Sequence, residues 1–209
     1  MAKVPEPPDP ATLAARTGPE TLVLSVGTEL WRIYFRGGPY PGHWRGFRTF
    51  GPVRTARFDH HEPPPRNQTR GVLYAATSIP ICVAEVFQAT RTLDRQLRDP
   101  WLVGFRLRRP VPLLDVGGSW PTRAGASMGL NSGPRPRAQR WSAAMYAAYP
   151  DLEGIWYPSS MYKNEPAVML YERAGDALEA LPFLNTALSA PGLLAPLAAV
   201  AREIGYLLI

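Results

Sequence analysis

The feature that most constrains this chain is the way its apolar residues are cut into short pieces. Runs rich in aromatic and β-branched residues alternate with helical stretches, and loops carrying proline and glycine separate them. The strand-like runs are Thr28 to Phe35, Val53 to Phe58, Val72 to Ala76, Trp101 to Arg108, Val111 to Val116, Gly154 to Tyr157 and Ala167 to Tyr171. Helices are expected from Ser78 to about Arg98 and from about Arg137 to Tyr149, the second stopped by Pro150. Strands interleaved with a few helices predict an α+β domain. No internal repeat or heptad run is present.

The local patterns place the polar residues of interest. In the first run Leu30, Arg32 and Tyr34 share one face, because strand side chains alternate. Ser78 is positioned to cap a helix whose first turn tolerates Pro80, since early helical N–H groups have no intrahelical acceptor. Val83, Val86 and Phe87 then fall on its buried side, and Glu85 lies in its first two turns. Trp101, Val103, Phe105 and Leu107 alternate as on a half-buried strand.

With 209 residues, 45% of them hydrophobic, the chain suits one well-buried core with extensions. Residues 1–27 read as a proline-rich arm carrying Pro5, Pro7, Pro8, Pro10 and Pro19, without regular structure up to about residue 20. Residues 28–175 read as the catalytic domain. Residues 176–209 read as an apolar, helical C-terminal extension packed on that domain or on a second subunit.

The formal net charge is +6, and every basic residue except Lys3 and Lys163 is arginine, the planar cation suited to phosphates and carboxylates. That charge attracts nucleotides, nucleic acid or an acidic protein without choosing among them. Cys82 is the single cysteine, so no disulfide framework or cysteine-type metal site forms, and a reducing cytoplasm is the expected setting. The apolar stretch from Leu181 to Ile209 is interrupted by Pro191, Pro196 and Arg202-Glu203, against a membrane span of about 20 apolar residues.

Six residues stand out as candidates for chemistry. Arg32 sits within an apolar strand, where a charge is costly unless paired or facing a cleft. Arg57 closes the strand-like piece beside a proline-rich loop. Each is either a structural arginine or part of a diphosphate clamp. Glu85 is surrounded by Cys82, Val83, Ala84, Val86 and Phe87, and is either a buried, partnered acid or one that looks into a pocket and stabilises positive charge at an anomeric carbon. Trp31 and Tyr74 are core residues or stacking platforms for nicotinamide or adenine. Ser159 follows a proline where a strand enters a loop.

Other chemistries find less support. His60 and His61 would point to opposite faces of a strand, so no metal site is expected. The chain lacks Gly-x-Ser-x-Gly, the phosphate-binding Gly-Lys-Ser/Thr loop and Gly-x-Gly-x-x-Gly, which disfavours a serine hydrolase, a P-loop enzyme and a Rossmann dinucleotide site.

Taken in order, Leu30-Trp31-Arg32, Ala56-Arg57-Phe58-Asp59, Val72-Leu73-Tyr74-Ala75-Ala76, the helix carrying Ala84-Glu85, and Tyr157-Pro158-Ser159 resemble the RES domain, a family named for its arginine, glutamate and serine. The resemblance spans roughly residues 28 to 172. It implies an ADP-ribosyltransferase-like split β-sheet with flanking helices, in whose cleft NAD binds as substrate. It implies a toxin paired with a helix-turn-helix, Xre-like antitoxin, degrading NAD by phosphorolysis or hydrolysis, with inorganic phosphate as co-substrate in the first case.

On the matching positions, Arg32 and Arg57 contact the diphosphate and ribose region, with Trp31 beside Arg32 as a further binding residue. Tyr74 stacks on and orients the substrate, Glu85 is the acidic catalytic residue, and Ser159 is a polar contact in the site. Arg32 and Ser159 count with Glu85 as catalytic. Two positions depart from the family pattern: Ala56 replaces a glycine, and Asn164-Glu165-Pro166-Ala167 replaces a glycine-asparagine pattern after the serine loop. The alternatives are transfer of ADP-ribose to a protein and a non-catalytic basic module on nucleic acid. No cofactor beyond the substrate NAD and no direct nucleic-acid contact is expected, and the apolar tail suits self-association or antitoxin binding.

Overall fold

The protein is described by a computed structural model over residues 4–209, so the first three residues of the expected arm lie outside the described residues. The chain begins with α1 (Pro10–Arg16), β1 (Thr21–Leu24), β2 (Glu29–Phe35), β3 (Arg48–Gly51) and β4 (Arg66–Ala76). It continues with α2 (Ile79–Val86), β5 (Thr92–Leu93), β6 (Pro100–Arg106), β7 (Val111–Asp115) and α3 (Trp120–Arg123). A 3₁₀ turn (Met128–Asn131) leads into α4 (Arg135–Ala148), β8 (Gly154–Pro158) and β9 (Pro166–Tyr171). After a second 3₁₀ turn (Glu172–Ala177) come β10 (Leu184–Ala187), a short turn (Pro191–Leu193), α5 (Leu194–Ile204) and β11 (Leu207–Leu208).

Nine strands make one mixed sheet in the order β1-β7-β8-β9-β4-β2-β6-β10, with β3 also on β4. Pairing is antiparallel except between β7 and β8. Its centre is split. β2 pairs with β6 along Glu29 to Phe35, and β4 pairs with β9 along Val72 to Ala76, but β2 and β4 meet only at Trp31 opposite Ala76.

Strand alternation sorts the core onto two faces. Ile33, Val72 and Ala76 look toward the five helices and join Leu13, Ile81, Trp120, Trp141 and Leu197. Leu30, Tyr34, Leu73 and Ala75 look the other way, under Trp44, Leu178 and Ala174 of the second 3₁₀ turn. Helices gathered on one face of a largely antiparallel sheet define the α+β class that the sequence predicts. Trp120, Trp141 and Phe58 are almost wholly buried, and each large side chain of this kind contributes about 1.5–3 kcal/mol relative to exposure.

Several local expectations are corrected. The proline-rich start is structured: Asp9 caps α1 by accepting from the Thr12 N–H at 2.9 Å, and Pro10 occupies the first turn, where a missing N–H costs nothing. Trp141 Nε1 donates to the Pro5 carbonyl at 2.9 Å, and β1 pairs along β7, so this segment is bound to the domain. Residues 53–58 form turns instead of a strand, because the Asp59 carboxylate accepts from the N–H groups of Val53 (2.7 Å) and His61 (3.3 Å) and rolls the chain around itself. The strand expected from Val72 starts earlier, at Arg66.

The helix after Ser78 stops at Val86, far short of Arg98. Arg91 takes a left-handed backbone with φ of 50°, and the chain enters β5, which pairs in parallel with β11. Ser78 occupies the capping position, but its hydroxyl makes no capping bond. The C-terminal segment is not purely helical: β10 adds an edge strand to the sheet along β6 before α5 begins. Among the described residues no helix is long and apolar enough to cross a membrane.

Candidate active site

The sheet order brings distant segments together. β4 and β8 are both antiparallel to β9 and so run parallel to each other, and their C-terminal ends emerge at the same edge of the sheet. From β4 the chain turns through Thr77 and Ser78 into α2, which carries Glu85. From β8 it turns through Pro158 into Ser159. Thr77 Oγ1 donates at 2.9 Å to the carbonyl of Pro166, the first residue of β9, which pairs with Pro158 at the exit of β8. Ser159 Oγ donates to Glu85 Oε1 at 2.5 Å and accepts the Met161 N–H at 3.2 Å. Ser159 is fully buried and Glu85 half-buried, so one carboxylate edge is fixed and the other is left for a further partner.

Arg57 reaches this pair from the turns that follow β3. Gln139 of α4 holds those turns, its Nε2 donating to the carbonyls of Val53 and Ala56 at 2.8 Å each. Tyr74 OH accepts the Phe58 N–H at 3.1 Å. Arg57 Nη1 then donates to the carbonyls of Gly133 (2.6 Å) and Leu130 (3.3 Å). Burial and the neighbouring Arg135 lower the Arg57 pKa, while Glu85, Tyr157 and Tyr74 work in the opposite direction. Burial, and then the Glu85 charge, push the Tyr157 phenol well above its ordinary value. Burial, with a smaller contribution from Asp59, does the same to Tyr74.

Two further residues, not picked out from the sequence, belong to the group. Gln88 Nε2 donates to the Glu85 carbonyl at 2.7 Å and lies 3.4 Å from Glu85 Oε2, while Gln88 Oε1 accepts from Arg135 Nη2 at 2.9 Å. Gln88 lies one turn beyond Glu85, so helical spacing could have suggested it; Arg135 lies in a segment crowded with arginine and proline and carried no distinguishing signal.

Glu85 and Ser159 are therefore joined directly, and Tyr74 holds the turn that carries Arg57, whose charge interacts with that of Glu85. Arg32 is not joined to them by any hydrogen bond among the described residues. It lies in the register of Leu30 and Tyr34, and its Nη1 donates to the carbonyls of Trp44 (3.0 Å) and Gly46 (3.2 Å), where burial brings its pKa down to about 10. Trp31 lies edge-on to Phe183 at 5.3 Å, a close approach that Gly104 permits: a Cβ there would meet the Phe183 ring at 2.5 Å and the Trp31 ring at 2.9 Å. A surface cleft of about 410 Å³ opens past the C-terminal end of α2. Val86 and Phe87 line it, but Glu85, Arg57 and Ser159 do not.

His60 and His61 do not sit on a strand and do not point apart. Their rings stack 5.5 Å from each other. His61 Nδ1 lies 2.5 Å from Asp59 Oδ1, and His60 packs on Tyr146 with Nε2 3.5 Å from Glu172 Oε2. Among the described residues no group of three or more histidine, cysteine, aspartate or glutamate side chains is arranged to hold a metal ion.

A split mixed sheet with helices on one face, and a carboxylate hydrogen-bonded to a serine near the split, define the class. The RES domain family model matches residues 29–190, and the chain belongs to that family. The fold is similar to that of a chain in the crystal structure of the M. tuberculosis MbcT–MbcA toxin–antitoxin complex, with a TM-score of 0.56 and 15% identity over 93% of this chain and 96% of that one. Comparison with curated proteins gives no match.

Proposed function

We propose that this protein is an NAD-degrading toxin that cleaves the bond between nicotinamide and ribose. The observation that carries the reading is the 2.5 Å hydrogen bond from Ser159 to Glu85, with Arg57 held close enough to Glu85 for their charges to interact. Membership of the RES family and likeness to a chain of a toxin–antitoxin complex support the toxin assignment and an antitoxin partner.

In NAD the leaving group is already a cationic pyridinium. When the C–N bond breaks, both electrons stay on nitrogen, neutral nicotinamide leaves, and positive charge develops on the ribose. Glu85 stabilises that charge and holds a ribose hydroxyl, while Ser159 fixes its free rotation. Arg57 anchors the diphosphate, so that binding energy orients the reacting sugar. Phosphate or water then attacks the anomeric carbon; phosphate gives ADP-ribose-1″-phosphate, and water gives ADP-ribose with release of a proton.

The test is induction of the chain in a bacterial host, with growth and total NAD followed together. Wild type is expected to deplete NAD before growth stops, and Glu85→Gln to do neither. Growth arrest with an undiminished NAD pool would overturn the reading.

A further inference from the structure

Most arginines of this chain end on an acid or a carbonyl of their own neighbourhood. Arg48 pairs with Asp59, Arg70 with Glu62, Arg106 with Glu29, Arg123 with Glu20, and Arg137 and Arg140 with Glu6. Arg57 and Arg135 pair with no acid among the described residues, and Arg57 leans on the segment that carries Arg135: its Nη1 donates to the Gly133 carbonyl at 2.6 Å, two residues before Arg135 in the chain. Arg135 projects from the first turn of α4 and bonds only to the neutral Gln88 side chain at 2.9 Å. Both are half-buried, and no N–H of either is sealed from solvent without a partner.

The two guanidinium groups repel each other, and Arg135 lowers the Arg57 pKa while the Glu85 charge works against it. Such an arrangement suits an anion that both can grip. Phosphate oxygens accept parallel N–H bonds from the arginine fork, and a diphosphate offers two phosphate groups to two forks. The structure meanwhile has Arg32, the first arginine of the expected clamp, engaged with the Trp44 and Gly46 carbonyls.

We infer that Arg135 is the second cation of a diphosphate site formed with Arg57, and that Gln88 links this site to Glu85 by bonding Arg135 through Oε1 and Glu85 through Nε2. The identity of the full substrate rests on the NAD reading above; the anion site does not. A diphosphate seated on Arg57 and Arg135 places one end of a dinucleotide within reach of Glu85 along the Arg135–Gln88–Glu85 chain. Gln88 is thereby a positioning residue, and Arg135 a binding residue.

Calorimetric titration with inorganic pyrophosphate and with ADP-ribose tests this on wild type, Arg57→Ala, Arg135→Ala, Arg135→Lys and Arg140→Ala. Arg140 removes the same charge from the same helix but pairs with Glu6, and its loss is expected to leave both affinities unchanged. Arg57→Ala and Arg135→Ala are each expected to weaken both ligands about 10- to 100-fold, and Arg135→Lys to restore only part of the loss, because lysine lacks the fork. Urea unfolding of each variant establishes that it is folded.

Wild-type affinity in a folded Arg135→Ala, or failure of wild type to bind either ligand, would overturn the inference. NAD turnover is read separately on the same samples. Arg135-dependent ADP-ribose binding without NAD turnover would keep this site and overturn the proposed reaction. NAD turnover with an unchanged KM in Arg135→Ala would do the reverse.

Discussion

Replacing Ser159 with alanine removes one hydroxyl and two hydrogen bonds, and the structure fixes what each loss does. The bond to Glu85 is 2.5 Å and charge-assisted, and its removal leaves the carboxylate with only Gln88 Nε2 at 3.4 Å. Bonds to charged groups contribute about 1.5–3 kcal/mol, so if that bond orients the acid in the transition state, kcat falls about 10- to 100-fold. The second bond satisfies the N–H of the half-buried Met161, and an unsatisfied donor costs up to about 1–3 kcal/mol of stability where water cannot replace the partner. KM is expected to change little, because Ser159 is buried behind Glu85 and holds the acid more than it holds the substrate. The assay is initial-rate NAD consumption over a range of NAD concentrations, with urea unfolding of the same preparation. Ser159→Ala with wild-type kcat would refute the claim that the pair acts as a unit.

Glu85→Gln keeps the shape of the side chain and an acceptor for Ser159, and is expected to stay folded while losing about 10²- to 10³-fold in kcat; undiminished NAD consumption would sink the assignment. Acid should destabilise the fold through Asp59 and Glu172. Burial opposes their ionisation, but His61, the Val53 N–H and Arg48 outweigh it at Asp59, as do His60, Tyr146 and the Gly71 N–H at Glu172, so both titrate at about 2. Because these folded values lie below the unfolded ones, the stability they add is complete above about pH 4.5 and is lost as pH falls toward about 2. A urea midpoint that does not drop between about pH 6 and about pH 3 would contradict this. Asp59→Ala removes the partner of His61 Nδ1, Arg48 Nη2 and the Val53 N–H at once and should cost about 3–5 kcal/mol at neutral pH, measured by urea unfolding. Glu203→Gln, by contrast, breaks an exposed pair with Lys163 and should leave the urea midpoint unchanged.

Where local pattern dominates, the sequence was a sufficient guide. β2, β6, β7, β8 and β9 fall within a residue or two of the runs that aromatic and β-branched content marks out, and α4 begins and ends close to its predicted bounds. The α+β class follows from those elements and their order, the RES family from the five fragments that resemble it, and the split sheet from that resemblance. What was not legible depended on contacts distant in sequence. Residues 53–58 have the composition of a strand, and it is the Asp59 carboxylate, with His61 and Arg48 around it, together with Gln139 of α4, that holds them in turns. β10 reads as apolar tail until β6 offers it an edge, and α1 reads as a loose arm until α4 gives it a surface.

The same division runs through the site. Glu85 and Ser159 were singled out separately on local grounds, yet their contact depends on β4 and β8 ending at the same edge of the sheet, which no local pattern encodes. Arg32 looked equivalent to Arg57, because both are arginines within apolar surroundings. The difference lies in what each reaches: Arg32 braces a loop through the Trp44 and Gly46 carbonyls, while Arg57 rests on the Leu130 and Gly133 carbonyls just before α4.

The most direct test of the account is release of free nicotinamide from NAD by the purified full chain, measured with and without inorganic phosphate. The account predicts nicotinamide in stoichiometric amounts with ADP-ribose-1″-phosphate or ADP-ribose, the phosphate requirement identifying the attacking group. Folded protein that releases no nicotinamide under either condition would contradict it.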